Sequence, residues 1–326
     1  MIITRSPLRI TLGGGGTDLP SYSRQFGGGV LAAAIDKYVY VTVVRPFTPG
    51  IFLKYSELEH VEHLSDVRHP IIKETLYHMG DDSFAPQIEI TALADIPAGT
   101  GLGSSSSFTT ALIKALYTHN RQFITPVDLA SLACDIEITY LNQPIGKQDQ
   151  YIAAYGGVTW LSFKQDGSVE ATPLRASLDT LHALEDNLLL FYTGISRSAA
   201  DVLQDQQTRT EQADPKMLEN LHEVRRLGEL SRKALEGGDL TEFGCLLNRQ
   251  WEQKQWRSPN TEQICQWRKY GLSSGAIGGK LIGAGGGGFL LFYTEEHTRL
   301  CRGMADMGLQ EVRFRFDYEG TKVLFG

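Results

Sequence analysis

Residues 97–107, with the sequence PAGTGLGSSSS, determine the predicted fold. This segment follows an alternating, strand-like stretch at 87–93 and leads into an apolar, helical stretch at 108–117. Glycine permits positive φ angles and lets a ligand approach the bare main chain. The first N–H groups of a helix lack intrahelical partners and carry partial positive charge, so phosphate binds there readily. Because four serines exceed what one helix cap needs, we interpret the segment as a phosphate-binding loop.

Composition and charge exclude several classes of protein. The chain has 326 residues and a formal net charge of −7, whereas a nucleic-acid-binding surface would usually carry a basic stripe. No apolar run is long enough for a membrane span, and the N-terminus lacks the regions of a signal peptide. The four cysteines have no paired spacing, which favours reduced thiols and a cytoplasmic location.

The order of predicted elements indicates two α+β domains, at residues 1–180 and 181–326. Short strands and helices occupy the first part, and a long helical region at 198–256 follows, with breaks near Asp214-Pro215 and Gly237-Gly238. We expect the charged faces of these helices to be exposed to solvent. A β-α-β-β pattern then completes the second domain.

Two further glycine clusters flank the phosphate-binding loop. Residues 6–20 (SPLRITLGGGGTDLP) place Arg9 on a strand and Asp18 just beyond a flexible turn, and bare backbone there favours close contact with a ligand. Residues 280–289 (KLIGAGGGGF) contain the spacing G-x-G-x-x-G, but a strand rather than a helix follows. A dinucleotide site, and hence a Rossmann-type oxidoreductase, is therefore not predicted. The cluster is either a plain turn or a clamp against a ligand.

Two acids accompany the phosphate-binding loop. Glu137 lies late on the predicted helix 126–140, and Asp149 lies in the segment GKQDQ at 146–150. Phosphoryl transfer to a hydroxyl needs a metal that neutralises the phosphate oxygens and a group that orients or deprotonates the acceptor. Magnesium prefers hard oxygen ligands, so one serine hydroxyl and one carboxylate would suffice.

The three glycine clusters, in this order and at this separation, resemble the motifs of the GHMP kinases. The resemblance covers essentially the whole chain and implies a two-domain α+β fold, with a left-handed β-α-β unit in the N-terminal domain and a ferredoxin-like C-terminal domain. It also implies ATP and Mg²⁺ as cofactors. By this resemblance the ATP-binding residues are Pro97, Gly101, Leu102, Gly103, Ser104, Ser105, Ser106 and Ser107.

The resemblance also implies roles for single residues. Ser105 and Glu137 fall where the family binds its metal ion. Asp149 resembles the aspartate that faces the acceptor hydroxyl, and Arg9 falls where a lysine or arginine stands beside that aspartate. Asp18 falls where the galactokinase members bind the sugar. The remaining residues of the implied substrate site are Gly15, Gly16, Thr17, Gly285, Gly286 and Gly287.

One departure from the galactokinase pattern bears on the substrate. The chain reads GGGTDL at 14–19 where galactokinase-like motifs read GEHTDY, so galactose is not predicted. Together with residues 146–150 and 192–198, this segment resembles the branch that phosphorylates D-glycero-D-manno-heptose 7-phosphate at the anomeric C1 hydroxyl, for nucleotide-activated heptose. L-fucokinases share much of the pattern, and a non-catalytic ATP and sugar sensor of the same fold is a third reading.

A sugar phosphate needs a second cationic site, for which two residues are candidates. Arg197 stands near a predicted helix N-terminus beside two serines, where an ordinary exposed arginine is the alternative. Lys147 is the other candidate, although it could equally support Asp149. The expected partners are thus a sugar phosphate and ATP, with no nucleic acid and no membrane, and the sequence is compatible with a homodimer.

Overall fold

The computed structural model describes residues 1–79, 87–195, 199–258 and 261–326. The strands of this part of the chain are β1 (Ile2–Gly13), β2 (Gly28–Val44), β3 (Gly50–Lys54), β4 (Leu58–Val61), β5 (Gln87–Ala94), β6 (Val158–Phe163), β7 (Val169–Pro173), β8 (Leu188–Tyr192), β9 (Ala276–Leu281), β10 (Phe289–Thr294), β11 (Gln310–Glu311) and β12 (Lys322–Phe325).

The helices of the same residues are α1 (Pro20–Phe26), α2 (Pro70–His78), α3 (Ser104–His119), α4 (Pro126–Cys134), α5 (Gln148–Tyr155), α6 (Leu178–Asn187), α7 (Ala199–Glu211), α8 (Pro215–Glu236), α9 (Leu240–Arg257), α10 (Glu262–Ser273) and α11 (His297–Asp306). A 3₁₀ turn occupies Leu64–Asp66, and a π-helical turn at Asp135–Tyr140 follows α4 directly. None of the helices in the described ranges is long and apolar enough to cross a membrane.

The larger sheet is built around β2. Among the described residues it has eight strands in the order β12-β1-β2-β5-β3-β4, and β6 and β7 continue from the first half of β2. All neighbouring pairs are antiparallel except β3 and β5, which are parallel. The sequence predicted two short strands for each of β1 and β2, but each is continuous. Between Pro7 and Leu8 the pairing of β1 with β2 shifts register. Proline is tolerated at such a shift because it lacks the N–H that a regular ladder needs.

The smaller sheet confirms the predicted α+β class. Among the described residues it has four antiparallel strands in the order β11-β8-β10-β9. Numbered along the chain this order is 4-1-3-2, with helices after the first and third strands, which is the ferredoxin-like β-α-β-β-α-β arrangement. The last strand, β12, pairs with β1 and so returns to the larger sheet. The division of the chain near residue 180 stays a prediction.

The structure confirms both predicted breaks in the long helical region. Asp214 caps α8, because its carboxylate accepts hydrogen bonds from the Lys216 and Met217 N–H groups. Gly238, with a φ of 77°, separates α8 from α9.

The main core lies between the larger sheet and α3. Buried side chains of α3 (Phe108, Leu112, Ile113 and Leu116 among them) pack with inward-facing residues of β1 and β2, such as Leu8 and Ile35. This packing fixes the N-terminus of α3 at one end of the sheet, where it meets the glycine loop between β9 and β10: a Cβ on Gly283 would lie 2.6 Å from the Gly101 Cα. The site forms at this junction.

Candidate active site

A pocket of about 240 Å³ lies where the three glycine clusters meet. The sequence-predicted residues that line it are Arg9, Gly15, Gly16, Asp18, Gly101, Gly103, Ser104, Ser105, Ser106 and Asp149. Residues from all three predicted regions therefore converge, since Gly283 and Ala284 of the third cluster line the pocket as well.

The loop before α3 presents its backbone to this pocket. Gly101 and Gly103 have φ angles of 82° and 78°, a left-handed conformation that favours glycine. Gly103 occupies the N-cap position, and α3 starts at Ser104. The first N–H groups of α3 thus point toward the pocket without helical partners, as an anion site requires.

Three of the predicted loop residues do not line the pocket. The Pro97 carbonyl accepts a hydrogen bond from the Thr100 hydroxyl at 3.0 Å, and the fully buried Leu102 accepts one from the Arg9 N–H at 3.0 Å. The Ser107 hydroxyl donates to the Pro7 carbonyl at 2.7 Å and is buried. The Leu102 and Ser107 contacts hold the loop against β1, whereas the Pro97 contact lies within the loop.

Arg9 and Asp149 form a bidentate ion pair in the pocket. The Arg9 Nε and Nη2 atoms donate to the two carboxylate oxygens of Asp149, each at 2.7 Å. The third guanidinium nitrogen, Nη1, donates to the Gly101 carbonyl at 2.5 Å. One arginine therefore fixes the carboxylate and the phosphate-binding loop relative to each other.

Glu137 lies beneath the serines of the loop, on the π-helical turn. Its carboxylate accepts hydrogen bonds from the Ser105 hydroxyl and from the Gln150 amide nitrogen, both at 2.7 Å. The side chain is fully buried, and this burial raises the pKa of its carboxyl group above the usual value. The Ser105 hydroxyl and the Glu137 carboxylate, 2.7 Å apart, are oxygen donors of the kind that magnesium prefers.

Asp18, which also lines the pocket, is held by backbone N–H groups. It accepts hydrogen bonds from the Gly16 N–H at 3.1 Å and from the Gln148 N–H at 3.2 Å. Burial, and next the negative charge of Asp149, raise the pKa of this carboxyl group. The Gly146 backbone passes so close that a Cβ there would lie 1.9 Å from the Asp18 Oδ2 atom.

This contact leads to a prediction for Gly146→Ala. The added methyl group displaces the Asp18 carboxylate, so we expect the KM for the sugar that the resemblance implies as substrate to rise about 10- to 100-fold, the range for a lost charge-assisted hydrogen bond. The KM for ATP should change little, since the loop before α3 is untouched. Steady-state kinetics against both substrates tests this, with Gly237→Ala, outside the pocket, as control. An unchanged sugar KM would show that Asp18 does not contact the sugar.

Two of the predicted substrate residues, Thr17 and Lys147, do not line the pocket. Thr17 is fully buried, and its hydroxyl donates to the Gly14 carbonyl at 2.8 Å and contacts the Gly29 backbone. The Lys147 ammonium donates to the Gly167 carbonyl at 2.7 Å, in the turn between β6 and β7, and the residue does not line the pocket. Arg197 lies outside the described residues.

Gly285, Gly286 and Gly287 also lie outside the pocket lining. A Cβ on Gly285 would lie 2.6 Å from the Ser258 hydroxyl oxygen, and one on Gly287 would lie 2.5 Å from the Ile195 carbonyl oxygen. Two of these glycines are therefore packed against neighbouring segments.

Three cations to which no sequence motif assigned a role line the pocket from the second half of the chain: Lys254 and Arg257 on α9 and Lys280 on β9. The expectation that the charged residues of the long helices face solvent is wrong for Lys254, which is buried. Its ammonium donates to the Leu281 carbonyl at 2.9 Å and to the Gly283 carbonyl. Lys280 donates to Gln250 Oε1 at 2.5 Å and to the Leu12 carbonyl at 3.2 Å.

Comparison with known proteins places the chain in a family. The family model of the GHMP kinases N terminal domain matches residues 70–157. The chain is 30% identical to D-glycero-alpha-D-manno-heptose 7-phosphate kinase of Campylobacter jejuni, over 98% of each protein. It is also 30% identical to L-fucokinase/L-fucose-1-P guanylyltransferase of Bacteroides fragilis, over 91% of this chain but only 35% of that protein.

A solved structure agrees with these relatives. The fold superposes on a D-glycero-D-manno-heptose 1-phosphate kinase from Bacteroides thetaiotaomicron with a TM-score of 0.82 and 26% identity, covering 100% of this chain and 99% of that one. The agreement in sequence extends over the full length, and the structural match includes both sheets. The chain therefore belongs to the GHMP kinases, and it is a sugar kinase that transfers phosphate from ATP to an alcohol group.

Proposed function

We propose that the protein phosphorylates the anomeric C1 hydroxyl of D-glycero-D-manno-heptose 7-phosphate, giving the 1,7-bisphosphate that feeds the synthesis of nucleotide-activated heptose. The observation that carries this proposal is the bidentate pair of Arg9 and Asp149, which stands between the N-terminus of α3 and the buried Asp18. A donor phosphate site, a proton acceptor and a sugar-binding carboxylate are thus arranged along one pocket.

The N-terminus of α3 receives the phosphates of ATP in this proposal. The backbone N–H groups of Ser104, Ser105 and Ser106 supply donors, and the helix dipole favours the negative charge. Ser105 and Glu137 would hold Mg²⁺, which when bound neutralises charge on the β- and γ-phosphate oxygens. The ionised form of Glu137 is disfavoured by burial, so a cation beside it would compensate for the missing solvation.

Asp149 accepts the proton of the C1 hydroxyl in the transfer step. The hydroxyl oxygen forms a bond to the γ-phosphorus, the bond from that phosphorus to the bridging oxygen of ADP breaks, and ADP leaves with the electron pair. Arg9 holds Asp149 through two hydrogen bonds and places positive charge beside the reacting oxygen. Proton transfer of this kind typically contributes about 10²- to 10⁴-fold in rate.

The relatives favour the heptose phosphate over a free sugar. The relative named as a heptose 7-phosphate kinase matches over 98% of its own length, whereas the match to the fucokinase is confined to 35% of that protein. L-fucose nevertheless stays the second candidate, because identity over the aligned region is the same, 30%, in both comparisons. The paired Arg9 and Asp149 argue against a sensor without catalytic activity.

An assay that couples ADP formation to NADH oxidation tests the substrate. We expect strong turnover with D-glycero-D-manno-heptose 7-phosphate and weak or no turnover with sedoheptulose 7-phosphate, L-fucose, D-mannose and galactose. Phosphorus NMR of the product should show the new phosphate on C1. Preference for L-fucose would replace the proposed substrate but keep the reacting residues. ATP binding without turnover of any sugar would favour the sensor.

A further inference from the structure

The pocket contains more positive than negative charge. Arg9 is paired with Asp149, but the three other cations, Lys254, Arg257 and Lys280, have no carboxylate within ion-pair distance among the described residues. We call these three residues the cationic wall. Because ionised groups in an enclosed site are costly unless they are paired, a wall of this kind favours an anionic ligand.

Arg257 has the weakest protein contacts of the three. Its Nη2 donates to the Gly15 carbonyl at 3.3 Å and its Nη1 to the Asn220 side-chain oxygen at 3.4 Å, both near the limit for a hydrogen bond. Lys254 and Lys280, by contrast, each make at least one hydrogen bond of 2.9 Å or less. As far as the described residues are concerned, much of the donor capacity of the Arg257 guanidinium is therefore available to a ligand, and its fork geometry suits a phosphate group.

Arg257 also lies at the end of the pocket that a distal phosphate would reach. Asp149 is next to the phosphate-binding loop, since a Cβ on Gly103 would lie 3.1 Å from its Oδ2 atom. Asp18 comes next, bonded to the Gly16 N–H, and a Cβ on Gly16 would lie 3.3 Å from the Arg257 guanidinium. Asp149, Asp18 and Arg257 thus follow one another along the pocket.

A neighbouring side chain keeps this end of the pocket in place. The buried Gln206 donates from its amide nitrogen to the Gly16 carbonyl at 2.9 Å, so α7 and the end of α9 both hold the loop that carries Asp18. A sugar whose C1 hydroxyl meets Asp149, and whose ring hydroxyls meet Asp18, would direct its far end toward Arg257.

We propose that Arg257 binds the second phosphate of the sugar phosphate substrate, the phosphate that is not transferred. This assignment rests on the proposed function, and it replaces Lys147, which is bonded to the Gly167 carbonyl outside the pocket. Arg257 then distinguishes a sugar phosphate from the free sugar.

The electrostatics of the wall agree with this assignment. Burial lowers the pKa of Arg257 to about 10 and the pKa of Lys280 to about 7. Burial, and then the charges of Lys280, Arg257 and Arg9, lower the pKa of Lys254 well below its ordinary value. A phosphate dianion at this wall would offset the repulsion at Lys254 and would favour the charged forms of Arg257 and Lys280.

The test compares D-glycero-D-manno-heptose 7-phosphate with the same heptose lacking its phosphate. For Arg257→Gln we expect the KM of the phosphorylated sugar to rise about 10- to 100-fold, as expected for a lost charge-assisted bond, and the KM of the free heptose to stay unchanged. Arg257→Lys should recover part of the loss, because it keeps the charge but not the fork. Arg249→Gln is the matched control, since Arg249 is on α9, exposed and paired with Glu223.

The outcomes separate this assignment from the proposed function. If the wild-type enzyme uses the heptose phosphate but Arg257→Gln raises both KM values equally, Arg257 has only a structural role and the assignment is overturned. An unchanged KM for the phosphorylated sugar also overturns it. If the wild-type enzyme does not use the heptose phosphate, the proposed function fails, and the assignment of Arg257 fails with it. Thermal unfolding of each variant shows whether the fold is kept.

Discussion

Replacing Asp149 by asparagine is expected to lower the turnover number by a factor of about 10² to 10⁴, the range for loss of general acid–base catalysis. The substitution removes the proton acceptor but keeps the size of the side chain. It also removes one of the two hydrogen bonds from Arg9, because the amide group of asparagine offers one acceptor where the carboxylate offers two. Arg9 keeps its bond to the Gly101 carbonyl, so the phosphate-binding loop should stay in place.

The measurement separates binding from chemistry. ATP affinity, followed by calorimetry, should be close to that of the wild-type enzyme, and the melting temperature should change little, whereas the turnover number falls. Asp135→Asn is the matched control, because Asp135 is an exposed carboxylate on the π-helical turn and does not line the pocket. It should keep full activity.

A turnover number of Asp149→Asn within a factor of about three of the wild-type value would remove Asp149 from the proposed step, because the loss falls short of the range for general base catalysis. Reduced ATP affinity together with reduced turnover would instead indicate that Asp149 acts by placing Arg9 and the loop. The two outcomes are distinguishable because only the second changes binding of a ligand that Asp149 does not itself contact in the proposal.

The conformation of the phosphate-binding loop was predictable because backbone conformation depends on local sequence. Gly101 and Gly103 adopt positive φ angles, as the PAGTGLGSSSS segment predicts, and α3 begins within its serines. The strand after residue 288 is present as β10, so the dinucleotide-binding spacing was correctly set aside. The resemblance to the GHMP kinases is confirmed by relatives that cover the whole chain.

The direction of individual side chains was not predictable in the same way. Lys147 and Asp149 are two residues apart, yet the first contacts the Gly167 carbonyl and the second contacts Arg9. Spacing alone does not decide between these directions, because the turn between β6 and β7 that receives Lys147 is distant in sequence. A tertiary contact of that kind leaves no local signal.

The cationic wall escaped prediction for a related reason. Lys254 and Arg257 lie near the end of a helix whose other polar residues include many exposed charges, and helical periodicity alone did not mark them as inward-facing. Only the return of β9 beside α9 places acceptors from residues 281 and 283 against the Lys254 ammonium. Burial of a lysine by a distant strand is a property of the assembled fold.

Replacing Glu137 by glutamine is expected to lower the turnover number more than about 100-fold. Loss of a residue that only hydrogen-bonds to a metal ligand commonly lowers metal affinity or activity about 10- to 100-fold, and Glu137 is proposed as a ligand itself. The substitution is almost isosteric, and both hydrogen bonds of the carboxylate can be replaced. The Ser105 hydroxyl can donate to the new amide oxygen, and the unpartnered Gln150 Oε1 can accept from the new amide nitrogen once the Gln150 amide rotates. The variant should therefore fold, and the Mg²⁺ dependence of ATP affinity should weaken.

The same variant should be more stable than the wild-type protein at neutral pH when both are measured in EDTA. Burial raises the pKa of Glu137 above its usual value of 4.5, so the folded state disfavours the ionised form, and wild-type stability falls as the pH rises through that raised pKa. A glutamine side chain does not ionise, so the variant has no buried charge to destabilise the fold. We therefore expect its melting temperature at pH 7 to be about 2 °C or more above that of the wild-type protein. The advantage should shrink as the pH is lowered toward 4.5, where Glu137 is protonated in the fold.

Glu59→Gln provides the matched control, because the pKa of the buried Glu59 carboxyl group is lowered, whereas the pKa of Glu137 is raised. Burial raises the pKa of Glu59, but hydrogen bonds from the Tyr55 hydroxyl and the Arg68 N–H, and the charge of Arg68, outweigh burial and lower it. Glutamine there should lower the melting temperature at pH 7 and leave turnover unchanged. Destabilisation by Glu137→Gln across the whole pH range would show that Glu137 is retained for stability. Stabilisation together with lost turnover would show that its buried charge is retained for catalysis at a cost to the fold.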